Sequence, residues 1–211
     1  MVLADGRGVV APRPLVRPRA AGLVLAAGAG TRMGVPKALV RDADGRTWLS
    51  HVVEVLGEGG CEEVTVVLGA QAEIARTLVP AGVRVVTAHG WAAGLSASLA
   101  AGLACFLGDE DLSRADCAVI TLVDLPELRP AAVRRVLGSA PCAKSLRRAV
   151  YDDAPGHPVV VGRDHWAPLL RQVDRAGGDR GAGPYLRRAG CEPVDCTDLG
   201  GGCDVDSPPR G

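Results

Sequence analysis

One short stretch has the residue types and spacing to hold a phosphate. In LVLAAGAGTRMGVPKALV, residues 23–40, Gly28, Gly30 and Gly34 follow an apolar run, and Arg32 and Lys37 flank the last glycine. Glycine has no Cβ, so the backbone can turn sharply and bring its N–H groups against an anion. Arginine engages two oxygens at once and lysine acts as a mobile point charge, a combination suited to a triphosphate. Pro36 stiffens the approach to Lys37. Two familiar phosphate loops do not fit. A dinucleotide fingerprint needs a third glycine where Met33 stands, and the acidic residue some way on, Glu54, falls inside an amphipathic helical pattern. A Walker loop needs Lys and Ser or Thr after its last glycine, where this chain has Val35 and Pro36. Further on, Asp124 follows the apolar run CAVITLV and precedes Leu-Pro. That places a carboxylate at the C-terminal end of a strand, where open α/β sheets bind ligands. Mg²⁺ takes one or two carboxylates plus phosphate oxygens, so Asp124 is a candidate metal ligand. Arg32, Lys37 and Asp124 are the candidate catalytic set. Gly94, which opens a helix after Trp91, would admit a ligand to the backbone. Ser96 would donate to a base or phosphate, or else cap that helix. Trp91 reads equally as core or as a lid.

The elements that must position these groups follow from apolar patterning. The continuous apolar run at 21–27 reads as a strand buried on both faces, and 62–69, 83–88 and 117–123 read as further strands. Helical patterns lie between them at 47–59, 72–79 and 94–107, with another at 129–138. In the first of these, Thr47 is the expected cap, and Trp48, Val52, Val55 and Leu56 form the apolar stripe. Strands alternating with helices mean βαβ units and a parallel sheet. After residue 140 the rhythm changes: 144–152, 157–162 and 192–196 read as strands that need not be parallel, and 163–173 and 181–189 as helices. The expectation is an α/β fold with a mixed, mostly parallel sheet, in one domain over 21–208 after a disordered, proline-bearing tail over 1–20.

Composition narrows the classes. The chain has 211 residues, 47% of them hydrophobic but only 3% aromatic, so Val, Leu and Ala must fill the core. It has 24 basic and 24 acidic side chains and no net charge, which argues against nucleic acid or an anionic membrane as partner. No apolar run is long enough to span a membrane, and the first twenty residues lack a secretory core, so a cytoplasmic protein is expected. The seven cysteines show neither metal nor disulfide spacing and read as reduced thiols, Cys105 and Cys117 as small core residues.

LAAGAGTRMGVPK, residues 25–37, resembles the signature of nucleotidyltransferases that share the sugar-nucleotide and cytidylyltransferase fold. HGWAAGLSASLAAGL (89–103), LVDLP (122–126), APGHPVVV (154–161), GGDRGAGPYL (177–186) and DVDSP (204–208) resemble, in order, segments of the molybdenum cofactor cytidylyltransferases and their close relatives. Departures are His89 where relatives often carry Asn, Gly183 where they carry Arg, and Ser207 for Thr.

The resemblance implies a Rossmann-like three-layer α/β/α arrangement, the nucleotide-diphospho-sugar transferase fold. It also implies transfer of CMP from CTP to the terminal phosphate of molybdopterin, with release of pyrophosphate. Leu25, Ala26, Ala27 and Gly28 would line base and ribose, with Gly30, Gly94 and Ser96 completing the nucleotide site. Ala27 favours CTP, because relatives that prefer GTP usually carry glycine there. Asp206, from the D-[IV]-D-[ST]-P segment, would be the second ligand of Mg²⁺, with Asp204 not separable from it. His157 would stand near the acceptor, and Asp179 would contact the acceptor or cap the following helix. An apo-molybdoenzyme is a further partner implied. Other readings stay open: a sugar phosphate or phospholactate-type acceptor, a guanylyltransferase, a non-catalytic cofactor chaperone, or an NAD-binding oxidoreductase.

Overall fold

In the computed structural model, residues 18–206 are described. Seven strands form one sheet: β1 (Ala20–Ala26), β2 (Glu63–Leu68), β3 (Arg84–Thr87), β4 (Cys117–Leu122), β5 (Leu146–Tyr151), β6 (Ala154–Gly162) and β7 (Glu192–Asp195). Their order is β3-β2-β1-β4-β6-β5-β7. β1 pairs in parallel with β2 and β4, and β2 with β3, whereas β6 runs antiparallel to both β4 and β5. The sheet is therefore mixed, as the change of rhythm after residue 140 implies.

The helices α1 (Trp48–Glu58), α2 (Ala72–Arg76), α3 (Leu95–Gly108), α4 (Pro130–Leu137), α5 (Trp166–Ala176) and α6 (Gly183–Arg188) cover both faces. Alternation along β1 explains why two layers are needed. Ala20, Val24 and Ala26 pack with α1 and α4, while Ala21, Leu23 and Leu25 pack with α3, α5 and α6. With few aromatics, the second layer is anchored by an edge-to-face pair, Phe106 of α3 on Trp166 of α5, with ring centroids 5.2 Å apart. The Trp166 indole N–H is satisfied by the Val161 carbonyl at 2.8 Å.

Local signals are realised closely. Thr47 caps α1, its hydroxyl accepting from the Ser50 N–H at 3.0 Å, and the predicted stripe is buried. Three expectations are corrected. Arg19 and Ala20, placed in the expected tail, belong to the fold, because Arg19 donates its backbone N–H to Asp116 and Ala20 begins β1; residues 1–17 of that expected tail lie outside the described residues. β6 begins three residues earlier than the apolar run, because a turn with Asp152 and Asp153 at positive φ (49° and 64°) folds it directly back on β5. Cys117 is core, but Cys105 of α3 is only half-buried, at the margin of the second layer's core. Among the described residues no helix is long and apolar enough to cross a membrane.

Candidate active site

The chain runs outward from β1 to β2 and β3, then returns through α3 to β4 on the other side of β1. This reversal opens a crevice at the C-terminal ends of β1 and β4, the place where open α/β sheets take their ligands. Leu25 and Leu122, side by side in register on these two strands, both line it. A cavity of about 390 Å³ fills the crevice.

The glycine loop forms one wall. Gly30 has φ +61°, and a Cβ there would lie 2.0 Å from the Val35 carbonyl oxygen, so only glycine fits. The Gly34 N–H bonds back to the Gly30 carbonyl at 2.8 Å, which closes the turn and starts the chain towards Lys37. Leu25, Ala26, Ala27, Gly28 and Gly30 all line the cavity, as do Arg32 and Lys37.

The opposite wall comes from the start of α3. Gly94 has φ +103°, and a Cβ would strike both the Asp179 carboxylate and the Gly178 backbone. That close approach lets Asp179 accept the Leu95 N–H at 3.1 Å, so Asp179 caps α3, 84 residues earlier in sequence, while facing the cavity. It does not cap the helix that follows it. Ser96 lies outside the cavity lining: its buried hydroxyl donates to the Gly177 carbonyl and accepts from the Gly181 N–H, both at 3.2 Å, which fastens the 177–181 loop to α3. Ser98 lines the cavity instead. The signal that marks it is helical spacing, since Leu95 and Ser98 share a face of α3 and Ser96 lies on another.

Charged groups gather at the cavity mouth. The Lys37 ammonium donates to Asp124 Oδ2 and to Asp206 Oδ1, each at 2.6 Å, and Arg32 pairs with the other oxygen of Asp206. Burial pulls the Lys37 pKa down, but the bonds to Asp124 and Asp206 outweigh it and hold the ammonium above its ordinary range. The hydrogen bond and charge of Lys37 hold the Asp206 carboxyl below its ordinary range. The C-terminal segment is tied in place by the Val205 N–H, which donates to the Asp124 carbonyl at 3.0 Å. Oxygens of Asp124, Asp204 and Asp206 lie within 4.8 Å of one another, so both aspartates of the DVD segment join the cluster. Asp124 Oδ1 is buried and has no hydrogen-bond partner among the described residues. An orphaned carboxylate oxygen beside two further carboxylates fits a hard divalent cation with oxygen ligands.

His157 stands apart from this cavity, in a smaller one that shares Leu25, Leu95 and Leu122 with it. Its Nδ1 faces the Ile120 carbonyl at 3.4 Å. Burial, with help from the charge of Arg148, pushes the His157 pKa down to about 4.

A crevice at a strand-order reversal, a glycine loop with two cations and a carboxylate cluster together define a nucleotide-handling α/β protein. The chain belongs to the MobA-like NTP transferase family, whose sequence profile matches residues 22–193. It is 36% identical over 203 residues to nicotine blue oxidoreductase of Paenarthrobacter nicotinovorans, a match covering 90% of this chain and 93% of that one. Among solved structures it superposes on Rv0371c of Mycobacterium tuberculosis H37Rv with a TM-score of 0.70 and 29% identity, covering 91% and 95% of the two chains. A manganese complex of that protein matches with a TM-score of 0.65 and 27% identity, over 84% of this chain and 86% of that one. Molybdopterin-guanine dinucleotide biosynthesis protein A of Archaeoglobus fulgidus shares the fold, at a TM-score of 0.63 and 19% identity over 89% and 93% of the chains. The architecture is thus the nucleotide-diphospho-sugar transferase fold.

Proposed function

We propose that the protein transfers CMP from CTP to a terminal phosphate of a molybdopterin-type acceptor and releases pyrophosphate. The observation that carries this reading is the Lys37 ammonium bridging Asp124 and Asp206 at 2.6 Å at the mouth of the cavity. In the reaction an acceptor phosphate oxygen attacks the α-phosphorus, the bond from that phosphorus to the oxygen bridging to the β-phosphate breaks, and pyrophosphate leaves with the electron pair. The nucleophile is already ionised, so position and charge stabilisation carry the catalysis. Arg32 and Lys37 release their carboxylates and turn to the triphosphate oxygens. The loop at Gly28 and Gly30 gives the phosphates backbone room, and Ala27 narrows the base site in favour of cytosine. Ser98 adds a hydroxyl to the nucleotide wall. Asp124, Asp204 and Asp206 would hold Mg²⁺, which when bound supplies positive charge against the phosphate oxygens. His157 and Asp179 face the acceptor side.

The test offers CTP, GTP, ATP and UTP with Mg²⁺, with and without molybdopterin, and follows pyrophosphate. Release that needs molybdopterin and prefers CTP is expected. Release with another phosphorylated acceptor would keep the chemistry and move the substrate. A second reading, an oxidoreductase, is favoured by the likeness to nicotine blue oxidoreductase over nine-tenths of this chain. The carboxylate cluster with its bridging lysine supports phosphoryl chemistry over hydride transfer. Acceptor-dependent oxidation of NADH or NADPH, without pyrophosphate release from any triphosphate, would replace the first reading by the second.

A further inference from the structure

The smaller cavity, about 120 Å³, shares a wall with the nucleotide crevice and is otherwise apolar except for Arg148, His157 and Arg180. Arg148 lies on β5, where the pairing with β6 shifts register. Its Nε donates to the Gly156 carbonyl at 2.9 Å, and among the described residues its guanidinium has no carboxylate partner. Other arginines with limited exposure are paired: Arg147 next to it with Glu192 and Arg19 with Glu62. A half-buried cation without a counter-charge is costly, and Arg187 adds repulsion to the burial that already opposes the charge of Arg148. The fold nevertheless holds it at the edge of a cavity that opens beside the reaction centre. Because a carbonyl only accepts, His157 presents its proton on Nδ1 to Ile120 and leaves Nε2 as an acceptor. His157 also feels the charges of both Arg148 and Asp204, which links the small cavity to the carboxylate cluster.

We propose that this cavity is an acceptor subsite in which Arg148 binds a second anionic group, distinct from the phosphate that attacks CTP. The acceptor is then a phosphate ester with a further anionic group, and a neighbouring hydroxyl or N–H donates to His157 Nε2. The assignment of this anion to an acceptor rests on the nucleotidyl-transfer reading, whereas the anion site itself is testable alone.

Inorganic phosphate is titrated into the full chain saturated with Mg²⁺ and a CTP analogue carrying a carbon bridge between α and β phosphorus. Wild type binds phosphate, and Arg148→Gln weakens it about tenfold or more, as loss of one charge-assisted hydrogen bond implies, with analogue affinity unchanged. A readout without any variant uses wild type alone: the Arg148 Nε–H and His157 ring NMR resonances shift together and saturate at one phosphate concentration. Equal phosphate affinity in wild type and Arg148→Gln, no phosphate binding in wild type, or resonances that do not move would overturn the proposal. Titration of 3-phosphoglycerate against glycerol 3-phosphate then asks whether a carboxylate serves as the second group. If the analogue does not bind but phosphate still depends on Arg148, the transfer reading fails and the anion site stands.

Discussion

The two halves of the sheet build their parts of the site in different ways. In the parallel half, β1 to β4, both faces are covered by helices and the ligand groups sit in loops at the strand ends. The glycine loop, Arg32 and Lys37 all lie between β1 and α1, so a contiguous stretch of chain carries them. In the other half, β6 runs antiparallel between β4 and β5, and ligand groups project from strands as well as loops. Arg148, His157 and Arg180 meet only because the hairpin of β5 and β6 and the 177–181 loop come together at the smaller cavity. On the proposed reading, phosphate handling is local and acceptor recognition is distributed, so the second can change without disturbing the first.

Breaking the local half should have the largest effect. Lys37→Ala is expected to lower the rate of pyrophosphate release about 10²–10³-fold, by analogy with removal of one preorganised donor to developing charge, measured as kcat under saturating CTP. A variant with near wild-type kcat would place the reaction elsewhere. Gly30→Ala attacks the same half through its backbone: the left-handed conformation costs a side-chain residue about 1–3 kcal/mol, and the clash with the Val35 carbonyl adds to it. Calorimetry should show the melting temperature falling by several degrees, at roughly 2–4 °C per kcal/mol.

Asp179→Ala sharpens the comparison, because it removes a cap that joins the two halves. A loss of about 1 kcal/mol is expected, seen in urea unfolding, together with a weaker KM for the acceptor and little change for CTP. The smallest effect near neutral pH belongs to His157. Its imidazole takes a proton near 6.5 when unfolded but only near 4 in the fold, so the unfolded chain binds more protons in between. Stability should fall as pH drops from about 6.5 towards 4, and His157→Gln should flatten that part of a melting-temperature profile against pH.

Much of the local half was legible in the sequence because its constraints are short-range. Glycine spacing, the Thr47 cap and the end of an apolar run at Asp124 each need only neighbouring residues to be read. Ser98 was missed for Ser96 because choosing between them requires knowing which face of α3 meets the crevice, and the 177–181 loop decides that. Alternation put Asp204 and Asp206 on one face of an extended segment, but only the bond from Val205 to Asp124 brings that face to the cluster. Arg148 carried no signal at all: its isolation depends on Glu192 pairing with Arg147 rather than with it.

That Val205–Asp124 bond also orders events in time. A ribosome that has released the chain through Asp124, just past β4, has already released the glycine loop and Lys37, and the parallel strands beside them can pair. The carboxylates that complete the cluster are still unmade, and they arrive with residues 204 and 206. A nascent chain therefore gains the glycine loop early and its full set of oxygen ligands only with residues 204 and 206, so the cluster is completed in one step rather than growing with length.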